Sequence, residues 1–151
     1  MFQILGPATE VEDMINDSTF DITEYYGYVY MTVHNKTGRK YIGKKAFQHT
    51  TTKKLGKKEL AEIPVGRGKR PSKKTVVKES DWKTYYGSNT EVKSLPKDEL
   101  KRYVLMLCKT KKQLTYWETK CLFQYNVLED ERYMNDNILG KFYRKDLLLS
   151  E

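Results

Sequence analysis

The sequence predicts a small α/β (α+β) domain, and three segments carry this prediction. Residues 25–33 and 39–43 are β-branched and aromatic runs separated by a short turn with Asn and Gly, which is typical of a β-hairpin. Residues 101–108 form a third such run, and residues 111–126 have helical spacing without Gly or Pro. A chain of 151 residues, 13% of them aromatic, is long enough for one domain with its own core.

Weaker patterns predict the remaining elements. Gly38 is suited to a turn that needs a positive φ angle. Short helices are expected around Val11–Ile15, over Asp81–Tyr85 after a capping Ser or Asp, and in the tail from Arg144. Residues 53–80 contain several Pro and Gly residues among many lysines, so they are predicted to form a loop, and residues 127–143 are expected to be irregular.

Charge is distributed very unevenly along the chain. Residues 1–35 contain six acidic residues and no Lys or Arg, whereas residues 36–80 contain 15 basic and three acidic residues, within a net charge of +8. We therefore divide the chain into an acidic N-terminal extension, residues 1–24, and a domain over residues 25–151 with a basic insertion at about 50–80. Such an excess of positive charge favours a polyanion as the partner. Nucleic acid is the first candidate, because each phosphate that the protein neutralises releases counterions. A merely solubilising loop is the alternative.

Several classes of protein are excluded by composition. The chain has no apolar run of about 18 residues, and its first residues lack the basic and apolar regions of a secretory signal. Cys108 and Cys121 lie in apolar surroundings, which is typical of buried thiols in a reducing compartment. The two Cys and two His residues do not have the spacing of a zinc site.

Glu118 is the unusual residue of the predicted long helix. The apolar face of that helix consists of Leu114, Trp117, Cys121, Leu122 and Tyr125. Glu118 points within this face, and a carboxylate that faces inward must be ion-paired, hydrogen-bonded or metal-bound. A structural salt bridge and a metal-ligand role are equally compatible with the sequence.

Tyrosine is the second unusual feature, with 12 residues. Tyr28 and Tyr30 share one face of the first strand. Most such rings pack in a core, but a phenol also orients or deprotonates a water if nearby cations lower its pKa from about 10. Cations of this kind flank Tyr41 in the sequence, at Lys40, Lys44 and Lys45.

The order of these residues resembles the GIY-YIG nuclease superfamily. Tyr41-Ile42-Gly43 matches the second motif, while the first reads Tyr28-Val29-Tyr30 in place of Gly-Ile-Tyr. Glu118 and Asn135 follow in the same order as in the family. The segment Asp81–Ser88, DWKTYYGS, is similar to a motif of phage-encoded, homing-endonuclease-like members. The resemblance covers about residues 25–143.

The resemblance implies a small central three-stranded antiparallel sheet flanked by helices, and divalent-metal-dependent hydrolysis of DNA phosphodiesters. By this resemblance, Tyr30 activates the attacking water or acts as the nucleophile, and Tyr41 hydrogen-bonds that water or the scissile phosphate. Glu118 is the single protein ligand of one Mg²⁺ or Mn²⁺ ion, which keeps several waters. Asn135, in preference to Asn137, braces the far edge of the site.

The sequence departs from the family after the second motif, where an Arg is usual. That region holds Lys44, Lys45, His49, Lys53 and Lys54. Lysines would then meet the phosphate charge, or Arg67 or Arg70 would fold back from the basic segment. His49 is either a general base or an ordinary surface histidine. The predicted nucleic-acid contacts of the basic segment are Lys53, Lys54, Arg67, Lys69, Arg70, Lys73 and Lys74.

The leading hypothesis is a DNA endonuclease of a phage or mobile element, with strongly salt-dependent binding and no membrane partner. No separate DNA-reading domain is visible, so sequence choice would come from the basic segment, from a partner copy in a homodimer, or not at all. A non-catalytic nucleic-acid-binding protein on the same fold is the alternative. A module whose acidic residues 1–24 dock on a basic partner ranks third. The expected compartment is the cytoplasm, that of the host if the gene is phage-borne.

Overall fold

The computed structural model describes residues 9–63 and 72–147. Its strands are β1 (Gly27–His34), β2 (Lys40–Ala46), β3 (Gln48–Lys54), β4 (Lys73–Glu79), β5 (Leu100–Cys108), β6 (Asn137–Ile138) and β7 (Phe142–Tyr143). Its helices are α1 (Val11–Asn16), α2 (Lys57–Glu62), α3 (Thr90–Ser94), α4 (Lys111–Gln124) and α5 (Arg144–Leu147), with 3-10 turns at Ile22–Glu24 and Lys97–Glu99. The predicted hairpin, third strand and long helix are confirmed.

A three-stranded antiparallel sheet in the order β2-β1-β5 forms the centre, as the family resemblance implied. The turn between β1 and β2 contains Gly38 at φ +75°, the left-handed conformation that glycine adopts without strain. Tyr30 pairs with Gly43, which places Tyr41 diagonally opposite Tyr30 on the same side of the sheet. The β1–β2 register therefore brings the two motif tyrosines together.

Apolar side chains cover both faces of this sheet. On one face, Val29 and Ile42 pack against Leu114 and Leu122 of α4, and both cysteines belong to this cluster as free, buried thiols. On the other face lie Tyr28, Tyr30, Phe47, Trp82 and Val104, with Val11 and Met14 of α1. Burial of this apolar surface is the main stabilising contribution to the fold.

Helix α1 confirms the short helix expected in the acidic N-terminal segment. It lies against β5, where the Val104 N–H donates to the Thr9 carbonyl oxygen over 3.0 Å. Glu12 binds the buried guanidinium of Arg102 at 2.6 Å. The described part of the acidic segment thus contributes apolar and charged side chains to the packing of the sheet.

The basic segment differs from the predicted loop. Its described parts form β3 and β4, which pair as an antiparallel ribbon, and α2 follows β3. The Pro and Gly residues that suggested a loop lie outside both strands, at Gly56 and within residues 64–71, a range outside the described residues. The strands themselves contain the β-branched runs Thr50–Thr52 and Thr75–Val77, which favour extended backbone. The sequence did not predict these strands, because the β-branched runs are short and are flanked by many lysines.

Asp81–Tyr85 forms a turn and not the predicted helix. The guanidinium of Arg102 donates to the carbonyl oxygens of Trp82, Lys83 and Tyr85 over 2.8–2.9 Å. Because those carbonyls bond a side chain from β5, they are not available for the bonds of a continuing helix. Tertiary contacts therefore override the local helix signal.

The C-terminal region contains the expected short helix, α5, and a small β6–β7 hairpin in the stretch predicted to be irregular. Tyr125 of the predicted apolar face of α4 is exposed, since the helix ends at Gln124. Within the described ranges, no helix has the length and apolar character that a membrane crossing requires.

Candidate active site

Tyr41, Glu118 and Asn135 line one open cleft of about 610 Å³. β2 contributes Tyr41, α4 contributes Glu118, and the segment before β6 contributes Asn135. The lining is mostly polar and also includes Ser88, Asn89, Thr90, Glu91, Asp136 and Asn137. The structure therefore brings together three of the residues predicted from widely separated parts of the sequence.

Tyr30 lies behind this cleft and is only 1% exposed. Its ring centroid is 6.4 Å from that of Tyr41. A Cβ atom added to Gly43 would lie 2.6 Å from the Tyr30 hydroxyl oxygen and 2.9 Å from Cε2 of Tyr41. Gly43 is therefore required because both phenol rings pass directly over its backbone.

Gly43→Ala is expected to displace both tyrosines. The added methyl group overlaps two packed rings, so we expect a loss of about 1–3 kcal/mol in the free energy of unfolding and about a hundredfold loss of any cleavage activity from misplaced groups. Urea unfolding and plasmid cleavage measure the two effects. Gly56→Ala is the control, because the nearest atom to its Cβ is 3.8 Å away. Equal effects of both substitutions would contradict this explanation of Gly43.

Burial raises the pKa of the Tyr30 phenol well above its usual 10.0 and also raises the pKa of Tyr41. The Tyr41 hydroxyl is 3.1 Å from the Ser88 hydroxyl. Lys45 does not lower these pKa values, since its ammonium group binds Asp81 at 2.6 Å and lies over the Tyr85 ring. Contrary to the sequence expectation, desolvation is the main cause of both shifts, and both phenols are neutral at neutral pH.

Glu118 is a largely buried carboxylate with weak charge compensation. Its side chain is 16% exposed, and the one cation within 4.0 Å among the described residues is Lys44, whose Nζ lies 3.9 Å from Oε1. The same ammonium group donates to the Thr115 hydroxyl over a shorter distance, 3.1 Å. Desolvation raises the pKa of Glu118 above its usual 4.5, and Lys44 offsets part of that shift. The salt bridge considered for this residue is present, but it leaves the carboxylate under-compensated.

The donor set of the cleft suits one hydrated divalent ion. Among the residues that the structure describes, no group of three or more His, Cys, Asp or Glu side chains is placed to bind a metal. Glu91 in the cleft wall is engaged by Arg39, with N–O distances of 2.6 and 2.7 Å. Glu118 thus remains as a single buried carboxylate, which fits an ion such as Mg²⁺ that keeps most of its waters.

Asn135 joins the cleft to the edge strand β2. Its side-chain oxygen accepts from the Ile42 N–H at 3.0 Å, and its side-chain nitrogen donates to the Ile42 carbonyl at 2.8 Å. Arg144 donates to the Asn135 carbonyl oxygen at 2.6 Å. The oxygen and the nitrogen of the side-chain amide are therefore both bonded to the Ile42 backbone. The side chain of Asn137 instead bonds Gly140 and Asp136.

The other predicted site residues that the structure describes lie outside the cleft lining. Lys44 is at the side of Glu118, while Lys45 contacts the Tyr85 ring near Tyr30, as alternation along a strand requires. His49 is exposed at the base of the β3–β4 ribbon, opposite Lys78. Lys53, Lys54, Lys73 and Lys74 lie on the same ribbon. Arg67, Lys69 and Arg70 lie outside the described residues.

Sequence reasoning missed two residues that hold the site. Ser88 contacts the Tyr41 hydroxyl, and its place in the DWKTYYGS segment was the available signal. Arg144 donates to four carbonyl oxygens in the 127–135 segment, and nothing in the local sequence distinguishes it from a surface arginine.

Comparison with known proteins identifies the domain. A family model described as "Putative endonuclease segE, GIY-YIG domain" matches residues 11–138. The chain belongs to this GIY-YIG family. The GIY-YIG match includes both tyrosine motifs, Glu118 and Asn135, and it begins at the first residue of α1. No curated protein and no solved structure matches the chain.

Proposed function

We propose that this GIY-YIG chain is a divalent-metal-dependent DNA endonuclease that hydrolyses phosphodiester bonds in the cleft of Tyr41 and Glu118. The observation that carries the proposal is a largely buried carboxylate with weak charge compensation that lines an open polar cleft together with a motif tyrosine. Hydrolysis adds negative charge to the phosphate in the transition state, so the site must supply positive charge and hydrogen-bond donors.

Each group of the site has a role in this chemistry. Glu118 would hold one Mg²⁺ or Mn²⁺ ion, which when bound supplies positive charge to the phosphate and lowers the pKa values of nearby acids. Lys44 adds a second positive charge beside Glu118. The Tyr41 hydroxyl, 3.1 Å from that of Ser88, hydrogen-bonds the attacking water or donates to a phosphate oxygen. Tyr30 and Asn135 fix the position of β2.

Supercoiled plasmid tests the proposal directly. The wild-type chain with Mg²⁺ or Mn²⁺ is expected to give relaxed or linear plasmid, and omission of the metal or addition of EDTA stops the reaction. Glu118→Ala is expected to bind the plasmid without cutting it. If wild type and Glu118→Ala bind equally and both leave the plasmid intact, the chain is a non-catalytic nucleic-acid-binding protein.

Cleavage is expected to depend on pH through Glu118, because only the ionised carboxylate binds a cation. The pKa of Glu118 is raised by burial, so cleavage is lost as the pH falls through a value above 4.5, sooner than an exposed glutamate would lose it. Initial rates measured against pH at several Mg²⁺ concentrations check this. Raising the Mg²⁺ concentration should move the midpoint to lower pH, since metal and proton compete. A midpoint independent of Mg²⁺ would exclude Glu118 as the titrating ligand.

A further inference from the structure

The β3–β4 ribbon projects from the domain as a separate two-stranded sheet. Seven residue pairs join the strands, from Gln48–Glu79 at the base to Lys54–Lys73, and most of its side chains are exposed. We call residues 48–54 and 73–79 the basic ribbon. A two-stranded ribbon buries little apolar surface and is marginally stable by itself in water. Its exposure needs a reason beyond packing.

Like charges face each other across the basic ribbon. Lys53 is directly opposite Lys74, and Lys54 is directly opposite Lys73, an arrangement that destabilises a strand pair. Of these four lysines, Lys74 is the one that makes an ion pair within the described part of the chain, with Glu59 at 2.8 Å. A bound polyanion would remove this repulsion, so the charge pattern specifies the chemistry of the partner.

The two faces of the ribbon differ in chemistry. Directly paired residues share a face, so one face presents the pairs His49–Lys78, Thr51–Val76 and Lys53–Lys74. The other face presents Thr50–Val77 and Thr52–Thr75 between Lys54–Lys73 and Gln48–Glu79. Val77 on this second face is 57% exposed. Hydroxyl and methyl groups of this kind contact base edges in a groove, whereas lysines contact phosphates.

The base of the ribbon is fixed to the motif strand. Phe47, the one residue between β2 and β3, is fully buried and packs against Trp82. The Ser80 N–H donates to the Phe47 carbonyl at 2.8 Å, and the Ser80 hydroxyl donates to the Ala46 carbonyl at 2.6 Å. The two strands of the ribbon are therefore held at their base, at the C-terminal end of β2, the strand that carries Tyr41.

We propose that the basic ribbon enters the major groove of duplex DNA, with the face containing Thr50 and Val77 toward the base edges and with Lys54 and Lys73, at the far end of that same face, on phosphates. The major groove accommodates a two-stranded ribbon, whose strands are about 4.8 Å apart, and this groove carries the fuller sequence information. The inference rests on the proposed function, because it takes DNA as the substrate. It also assigns a part in sequence choice to the basic ribbon.

Binding without metal tests the ribbon independently of cleavage. In Glu118→Gln, anisotropy of a labelled duplex gives the dissociation constant at several salt concentrations. Adding Lys54→Gln and Lys73→Gln is expected to weaken binding by about fivefold or more per lysine at about 0.1 M salt, and to reduce the salt slope by about two. The matched control is Lys36→Gln with Lys101→Gln. These two substitutions remove the same amount of charge, but at the opposite end of the β2-β1-β5 sheet.

Groove and face are tested separately. Methyl green, which occupies the major groove, should displace the chain, and distamycin, which occupies the minor groove, should not. Val77→Ala should change the preferred cleavage positions without changing the salt slope. Equal effects of the two lysine pairs, or displacement by distamycin alone, would overturn the ribbon proposal while leaving the nuclease proposal intact. A chain that binds through the ribbon but never cleaves would refute the nuclease proposal and retain this one.

Discussion

Glu118→Gln is expected to reduce Mg²⁺-dependent cleavage by about a thousandfold or more, equivalent to about 4 kcal/mol of transition-state stabilisation. The amide fills the same volume but provides no negative charge for a divalent ion. The buried position of Glu118 beside Lys44 makes this the most direct test of the cleft. Initial rates on supercoiled plasmid measure the effect, with Glu131→Gln, an exposed glutamate, as the control.

The same variant has a distinctive effect on stability. Because burial raises the pKa of Glu118 in the folded chain, the ionised carboxylate destabilises the fold at neutral pH. Below the unfolded value of about 4.5, both states are protonated and this contribution disappears. Glu118→Gln should therefore raise the midpoint of thermal unfolding at neutral pH but leave it nearly unchanged in acid. A fall in stability at neutral pH would mean that the Lys44 ion pair outweighs desolvation.

Arg102→Met is expected to cause the largest loss of stability, about 3–5 kcal/mol in the free energy of unfolding. The Arg102 side chain is 0% exposed and donates to the carbonyl oxygens of Trp82, Lys83 and Tyr85 as well as to Glu12. Methionine keeps much of the volume but removes the donor to the Lys83 and Tyr85 carbonyls and leaves the Trp82 carbonyl with the Tyr28 hydroxyl at 3.4 Å. Urea unfolding measures this loss from the shift in midpoint, provided that the m-value, the dependence of the free energy of unfolding on urea concentration, is unchanged.

Arg132→Met is the matched control for Arg102. The Arg132 side chain is 72% exposed and binds Asp130, two residues away, so its loss should cost no more than about 1 kcal/mol. Arg102→Lys should remain clearly destabilised, since an ammonium group lacks the planar fork that reaches several carbonyls. Comparable losses for Arg102→Met and Arg132→Met would show that the 81–86 turn does not depend on the buried guanidinium.

Local sequence was sufficient for the elements with a strong local signal. The β1–β2 hairpin and β5 follow from β-branched and aromatic runs and a Gly-containing turn, and α4 follows from helical spacing. Glu118 was recognisable for the same reason, because a charge within an apolar helical face is visible in the spacing alone. The order of the tyrosine motifs, Glu118 and Asn135 then sufficed for the family resemblance.

Long-range contacts decided the remaining details of the site. Asn135 bonds Ile42 across 93 positions of sequence, a contact that only the folded chain reveals. Strand alternation separates Lys44 from Lys45, but the position of α4 determines which of them reaches Glu118. Ser88 and Arg144 likewise act on residues far away in the chain.

The sequence by itself determined the strands of the β1–β2 hairpin, β5 and the long helix, because each depends on a pattern within a few residues, and the order of the motif residues carried the family resemblance. The tertiary structure decided that the 81–85 segment is a turn and that the described part of the basic segment forms a ribbon. Pairing partners and buried donors from other strands set those conformations. The tertiary structure also decided that the phenols have raised pKa values, since burial is the main cause of both shifts and no local pattern encodes it.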